Sequence, residues 1–92
     1  MGRIAVGCLA LGLVSGCALP PRGTSEADIA RYDAAARTLG CTLVTEGDYL
    51  AMEIQTGLVR QQLLDLTAYR LSTGGAARLP SGGVKLTTGA CA

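Results

Sequence analysis

The chain has 92 residues, of which 49% are hydrophobic and 16% are charged, and its formal net charge is +1. This length allows one small domain and leaves no room for a second hydrophobic core. The absence of histidine from the sequence excludes a Ser-His-Asp or Cys-His catalytic site and imidazole metal ligands, and the few, scattered basic residues argue against binding of nucleic acid.

The N-terminal segment has the pattern of an export signal. Arg3 gives it a positive start, and residues 4–14 form an uncharged run of eleven residues, which is typical of a secretory signal. Extended to Leu19, the uncharged run is sixteen residues long, whereas a membrane-spanning helix needs roughly 20. We therefore expect the segment to direct export and then to be removed.

The end of this segment carries a short motif, Val14-Ser15-Gly16-Cys17, preceded by Leu13. The motif resembles the lipobox of bacterial lipoproteins, and the resemblance covers the export signal alone. It implies a signal peptide over residues 1–16, a diacylglyceryl group on the sulfur of Cys17, and a new amine open to acylation, for example by palmitate. Two or more acyl chains give stable membrane attachment, whereas one is marginal. The alternative is an ordinary signal peptide with a coincidental cysteine at its end.

The residue after Cys17 bears on location in the cell envelope. In lipoproteins of envelopes with two membranes, Asp at that position commonly causes retention in the inner membrane, and here the residue is Ala18. The resemblance therefore implies an outer-membrane anchor facing the periplasm, if the organism has an outer membrane.

Residues 17–24 are expected to form the lipidated cysteine and a tether. Pro20-Pro21 favours the extended polyproline II conformation, at about 3.1 Å per residue, so residues 18–24 could hold a domain roughly 20 Å from the lipid surface. The alternative is that part of this segment packs against the domain, which we expect to span residues 25–92.

The first predicted helix runs over residues 26–39. Ser25 followed by Asp28 is close to a capping-box pattern, which favours a helix start. Gly40 then provides a C-terminal stop.

The second predicted helix begins after Thr45, where Thr45-Glu46-Gly47-Asp48 repeats the cap signal. Its first turns place four apolar residues on one face: Leu50, Ala51, Ile54 and Leu58. Beyond Gly57 the apolar residues spread around the circumference. We expect a single helix to about Leu71, because residues 72–75 are typical of a helix stop. The alternative is a helix that ends near Leu66, with a strand over residues 69–72.

The C-terminal part alternates apolar and polar residues on both sides of a Pro/Gly turn at residues 80–83. This pattern predicts a short β-hairpin over residues 76–79 and 84–87. The predicted fold class is therefore α+β, with two helices followed by a short C-terminal β-hairpin in a small single domain stapled by one disulfide.

Cys41 and Cys91 are the pair that remains once Cys8 leaves with the signal and Cys17 is lipidated. In an oxidising compartment we expect them to form a disulfide. It closes a loop of about 50 residues, for which chain entropy predicts roughly 4 kcal/mol of stabilisation. A redox-active pair is the alternative, but the two cysteines are not in a C-x-x-C motif and have no nearby cluster of positive charge.

Other candidate sites have a simpler structural interpretation. Glu46 and Glu53 lie two helical turns apart and could pair as acid and base, but nothing in the sequence raises either pKa. Gly82-Gly83 lacks the context of a phosphate-binding loop, and Ser81 and Lys85 are expected at an exposed turn. No cofactor and no metal site are predicted.

The second helix carries the candidate partner contacts. They are polar residues set among apolar neighbours, and one adjoining leucine: Gln55, Arg60, Gln61, Gln62 and Leu63. For any one of them, packing within the domain is the competing interpretation. The sequence favours a non-catalytic accessory or interaction module for another envelope protein, held at the membrane through Cys17. The alternatives are a small-ligand-binding module with a groove between helix and hairpin, a thiol redox protein or a minor hydrolase.

Overall fold

The computed structural model describes residues 20–92, which form three helices and one three-stranded antiparallel sheet. In chain order the elements are α1 (Glu26–Thr38), β1 (Thr42–Leu43), α2 (Glu46–Thr56), α3 (Arg60–Ser72), β2 (Ala76–Arg78), β3 (Val84–Leu86) and a 3-10 turn (Gly89–Cys91). The prediction of a small mixed α+β domain is confirmed. The predicted signal peptide, the lipobox and Cys17 lie outside the described residues.

Helix α1 begins and ends where its local sequence predicts. The Oγ of Ser25 accepts a hydrogen bond from the N–H of Asp28, and the Ser25 N–H donates to the Asp28 carboxylate, both at 3.1 Å. At the other end Gly40 adopts a left-handed φ of 76°. This lets the Cys41 N–H reach back to the Ala36 carbonyl at 2.9 Å, the bond of a Schellman motif.

The prediction of one long second helix was wrong, because the chain bends at Gly57. Gly57 has a left-handed φ of 73°, and its N–H donates to the Glu53 carbonyl at 2.9 Å. The Oγ1 of Thr56 donates to the Met52 carbonyl at 2.6 Å and accepts from the Leu58 N–H at 3.1 Å. Glycine adopts this conformation at little cost, so α2 ends here and α3 starts in a new direction.

Helix α3 ends close to the predicted position. It continues through Ser72, so residues 69–72 are helical and do not form the alternative strand. The N–H of Gly75 donates to the Arg70 carbonyl at 2.7 Å, and Gly74 has a left-handed φ of 82°. The glycine pair therefore stops α3 as predicted.

The predicted hairpin is present as β2 and β3, but a third strand extends it. The sheet order is β1-β3-β2, with Leu43 opposite Val84 and Arg78 opposite Val84 on the other side. At the hairpin turn a Cβ on Gly83 would lie 2.5 Å from the Leu43 carbonyl oxygen. Glycine at this position therefore lets β1 approach the turn closely.

The core lies between the sheet and the helices, where α1 and α3 contact strands and α2 packs against both of these helices. Its largest fully buried side chains are Tyr32, Leu43, Met52, Leu63, Leu66 and Leu86. The hydroxyl groups of Tyr32 on α1 and Thr67 on α3 share a hydrogen bond of 2.5 Å, and burial raises the pKa of Tyr32 to about 12. The packing fixes which side of each helix remains exposed.

The segment before α1 contains a turn. The Thr24 N–H donates to the Pro21 carbonyl at 3.3 Å, and Gly23 has a left-handed φ of 77°. Over residues 21–24 the chain is therefore shorter than a fully extended tether.

Candidate functional site

Helix α2 exposes the side on which the sequence pattern places Leu50 and Ile54. Ile54 is 83% exposed and Leu50 is 47% exposed, whereas Met52 and Thr56 are buried. Leu58, which was predicted to share this face, is buried and lies beyond the end of α2 at Gly57. We call the side formed by Leu50 and Ile54, four residues apart on one face of the helix, the α2 outer face.

The capping of α2 and its packing set this orientation. The Oγ1 of Thr45 accepts from the Asp48 N–H at 3.1 Å, and the Asp48 carboxylate accepts from the N–H groups of Val44 and Thr45 at 2.8 and 3.0 Å. These bonds hold the pKa of Asp48 below its usual value. With the start of the helix fixed, Met52 enters the core and Ile54, two residues later, points to the other side.

One edge of the α2 outer face carries a network of charges centred on Arg60. Its guanidinium donates to both oxygens of Glu46, at 2.9 and 2.6 Å, and to Glu53 at 2.6 Å. The guanidinium also lies over the ring of Tyr49, 5.3 Å from its centre. We call Arg60, Glu46, Glu53 and Tyr49 the Arg60 clamp, because it joins the start of α3 to α2.

The Arg60 clamp shifts the pKa values of Glu46 and Arg60. The hydrogen bond from Arg60 lowers the pKa of Glu46, and the two carboxylates raise the pKa of Arg60. An ionised, doubly bonded carboxylate is poorly suited to act as a general acid near neutral pH. The structure thus brings the candidate pair Glu46 and Glu53 together, but around a guanidinium that holds both in ion pairs.

The three glutamines predicted to contact a partner each form a different hydrogen bond within the domain. Gln55 is exposed at the far edge of α2, where its Nε2 donates to the Oγ1 of Thr38 at 3.0 Å. Gln61 is exposed and donates to Asp65 on its own helix at 2.9 Å. The Oε1 of Gln62 accepts from the Val59 N–H at 3.1 Å and so caps the start of α3.

Leu63 does not belong to the surface. Its side chain is fully buried in the core of this domain, so the interpretation as a partner contact is corrected to core packing. The bend at Gly57 rotates α3 relative to α2, which turns Leu63 inward. The sequence pattern alone indicated no preferred inward side beyond Gly57.

Sequence analysis missed the α2 outer face and a buried ion pair, Asp33–Arg70. Leu50 and Ile54 have the spacing of a core face, and the competing stripe of Tyr49, Met52 and Thr56 is less apolar. A helix with apolar residues on both sides is the signal that could have revealed an exposed apolar surface. Asp33 and Arg70 lie 37 positions apart, and no local pattern links them.

The cysteine prediction is confirmed. Cys41 and Cys91 form a disulfide with their Cα atoms 5.8 Å apart. Ser81 in the hairpin turn and Lys85 on β3 are both exposed. Across residues 20–92, no group of three or more His, Cys, Asp or Glu side chains is arranged to hold a metal ion.

None of the helices described in residues 20–92 has the length and apolar character needed to cross a membrane. Comparison of the chain with protein-family models, with curated proteins and with solved structures gave no match. The residues and geometry of the domain are therefore the basis for its function.

Proposed function

We propose that this chain is a lipid-anchored protein of the bacterial envelope whose domain is a non-catalytic interaction module for another envelope protein. The lipobox-like motif ending at Cys17 supports the anchor. A disulfide between Cys41 and Cys91 is the bond expected of a protein that folds in an oxidising compartment.

The observation that carries the interaction role is the exposure of Ile54. A large aliphatic side chain that is 83% exposed, with Leu50 beside it at 47%, gains free energy when a partner covers it. Partner interfaces combine an apolar centre with a polar rim. The α2 outer face offers this arrangement, with Leu50 and Ile54 at its centre and Glu46 on its edge.

The rigidity of α2 suits it to binding. The Arg60 clamp fixes one side of the helix and the Gln55–Thr38 hydrogen bonds fix the other. A surface that is already ordered loses less conformational entropy when a partner docks. The proposed partner presents apolar side chains to Leu50 and Ile54, and hydrogen-bond donors or basic groups near Glu46.

The test uses crosslinking in cells and a matched pair of substitutions. A photo-crosslinking residue at position 54 should capture one envelope protein, and the same residue at position 30, which is exposed on α1, should not. Ile54→Ser should reduce co-purification of that protein at least about tenfold without changing the thermal unfolding midpoint, while Ala30→Ser leaves binding unchanged. Equal crosslinking from both positions, or unchanged binding by Ile54→Ser, would refute the proposed surface.

A further inference from the structure

Asp33 on α1 and Arg70 on α3 form a buried ion pair whose hydrogen bonding is incomplete. The Arg70 Nη2 donates to the Asp33 Oδ2 at 2.5 Å. The side chain of Arg70 is 14% exposed and that of Asp33 is 9% exposed. Within residues 20–92 the Asp33 Oδ1 and the Arg70 Nε have no hydrogen-bond partner. Burial raises the pKa of Asp33 although Arg70 acts in the opposite direction. The free-energy cost of removing the pair from water is therefore not fully compensated by the hydrogen bond within it.

The C-terminal residues 87–92, which we call the C-terminal cap, cover this pair. Gly89 lies so close to Asp33 that a Cβ there would overlap the carboxylate. On the Arg70 side, a Cβ on Gly75 would lie 2.8 Å from the Thr88 Oγ1 and 3.1 Å from the Arg70 Cδ. The close contacts permitted by Gly89 in the C-terminal cap and by Gly75 before β2 therefore place the cap over the pair.

The C-terminal cap is anchored at both ends. At its start, the Thr87 N–H donates to the Gly75 carbonyl at 2.9 Å, and the Thr88 Oγ1 approaches the same oxygen at 3.4 Å. At its far end, Cys91 is joined to Cys41 by the disulfide. The 3-10 turn packs against α1 and contains no buried residue, and its Cys91 is partly buried against the core. The disulfide is the covalent link that holds this packing in place.

The other cysteine is held in an unfavourable backbone conformation. Cys41 has a left-handed φ of 65°, and no other non-glycine residue described in the chain has a positive φ. A residue with a Cβ adopts this region at a cost in free energy, and such strain is concentrated at functional and switching sites. Both cysteines are only partly buried, so a thiolate in solution can reach the disulfide.

We propose that the Cys41–Cys91 disulfide is a redox switch that controls the C-terminal cap. When a dithiol reductant cleaves the disulfide, the cap detaches from α1, and water enters the Asp33–Arg70 pair while the helices and the sheet stay folded. Opening relieves the desolvation of the ion pair, while the backbone of Cys41 stays bonded to Ala36 and Leu86. The fully buried core side chains all belong to elements outside the cap, which is why the rest of the domain keeps its packing.

The chemical step is thiol–disulfide exchange. A thiolate of the reductant attacks one of the two cysteine sulfurs, the bond between Cys41 and Cys91 breaks, and the other cysteine leaves as a thiolate. The second thiol of the reductant then displaces the bound cysteine and closes the reductant's own disulfide. Two electrons pass from the dithiol to the cysteine pair, and two protons end on the thiols of Cys41 and Cys91.

Amide hydrogen exchange of the full chain, oxidised and then reduced with a dithiol, tests the switch. Reduction should speed exchange at the amides of Cys91 and Ala92 at least about tenfold, whereas Leu63 and Leu66 on α3 should change less than about twofold. The double substitution Cys41→Ser with Cys91→Ser should reproduce the reduced pattern. Unchanged exchange in the cap, general loss of protection in α3, or failure of the double variant to fold would overturn the proposal and leave the disulfide a structural staple.

A second measurement detects whether water reaches the ion pair. In carbon-13 NMR titrations of the side-chain carboxyls, the pKa of Asp33 should fall on reduction, because opening removes the desolvation that raises it. The pKa of Asp28, which lies in the first turn of α1 and is paired with Arg31, should stay the same and is the matched control. Gly89→Ala should lower the pKa of Asp33 even in the oxidised protein, since its methyl group cannot fit against the carboxylate. An Asp33 pKa that does not respond to reduction contradicts the switch.

Discussion

Arg60 and Glu46, fourteen positions apart, form a two-point ion pair in which the Nη1 and Nη2 of the guanidinium each donate to one carboxylate oxygen. The same guanidinium reaches Glu53 through its Nε. The planar fork of arginine allows this geometry, which the point charge of lysine cannot reproduce. The bend at Gly57 brings the start of α3 back against α2, and the Arg60 clamp holds that bend closed.

Replacing Arg60 should therefore loosen the α2–α3 corner. We expect Arg60→Ala to lower the thermal unfolding midpoint, and Arg60→Lys to lower it less, because lysine restores the charge without the two-point bond. Gln61→Ala is the matched control, since Gln61 is the exposed neighbour and bonds only along its own helix to Asp65. Circular dichroism melts of the three variants measure the effect. Equal midpoints for Arg60→Ala and Gln61→Ala would show that the clamp contributes no stability.

The unfolding free energy of the domain should depend on pH through the carboxyl group of Glu46. Its folded-state pKa lies below the ordinary value of 4.5 because of Arg60, so the unfolded chain binds more protons in that window. This contribution is fully present above about pH 4.5 and is lost as pH falls through the folded-state pKa.

Asp33 affects the pH dependence of stability in the opposite direction. Its pKa is raised by burial, so its contribution declines as pH rises from 3.8 through the folded-state value.

Urea unfolding between pH 3 and pH 7 measures these contributions. Glu46→Gln should flatten the loss of unfolding free energy on the acid side. Gln61→Ala leaves every ionisable group in place and should keep the acid dependence of the unsubstituted protein. The same acid dependence for Glu46→Gln and the unsubstituted chain would mean that the ion pair with Arg60 does not contribute to stability.

The two glycines of the hairpin turn should differ in their tolerance of alanine. Both have left-handed φ values, 97° at Gly82 and 85° at Gly83, so either alanine costs about 1 to 2 kcal/mol in backbone strain. In the described part of the chain, no atom beyond the adjoining residues lies within 4 Å of a Cβ at Gly82, whereas a Cβ at Gly83 would meet the Leu43 carbonyl oxygen. We expect Gly83→Ala to be the more destabilising by at least about 1 kcal/mol. Chemical denaturation of both variants measures the difference in unfolding free energy. Equal losses of unfolding free energy would contradict the close approach of β1 to the hairpin turn.

The proposed membrane anchor is tested at Cys17. Cys17→Ser should abolish labelling by radioactive palmitate and leave an unprocessed precursor or a protein lost from the membrane fraction, because no sulfur remains to carry the lipid. Ser15→Ala keeps a small residue in the motif and should be labelled and fractionated normally. A Cys17→Ser protein that is still labelled by palmitate would rule out lipidation at this position.

Elements that depend on neighbouring residues were predictable from the sequence. The starts of α1 and α2 follow from capping boxes at Ser25 and Thr45, whose bonds span three residues. The hairpin was predictable because its turn chemistry and its alternation are both local. The disulfide followed from the count of cysteines left once Cys8 and Cys17 are assigned to the predicted export signal and lipid anchor.

The features that were not predicted depend on residues far apart in the chain. The sequence shows a glycine at position 57 but does not reveal whether the helix continues through it, because a single glycine weakens a helix by only about 1 kcal/mol. β1 is two residues long, too short for a periodic pattern. The inward side of α2 is set by contacts with α1 and α3, and these place Met52 in the core while leaving Ile54 outside.

The position of β3 in the sheet determines when this domain can fold. β1 and β2 each pair with β3 and not with one another, so neither outer strand has its hydrogen-bonding neighbour until β3 has been synthesised. Thr42 on β1 pairs with Lys85 on β3, and two helices and β2 lie between them in the chain. Long-range pairing of this kind slows folding. The sheet therefore forms only after all three helices have been synthesised.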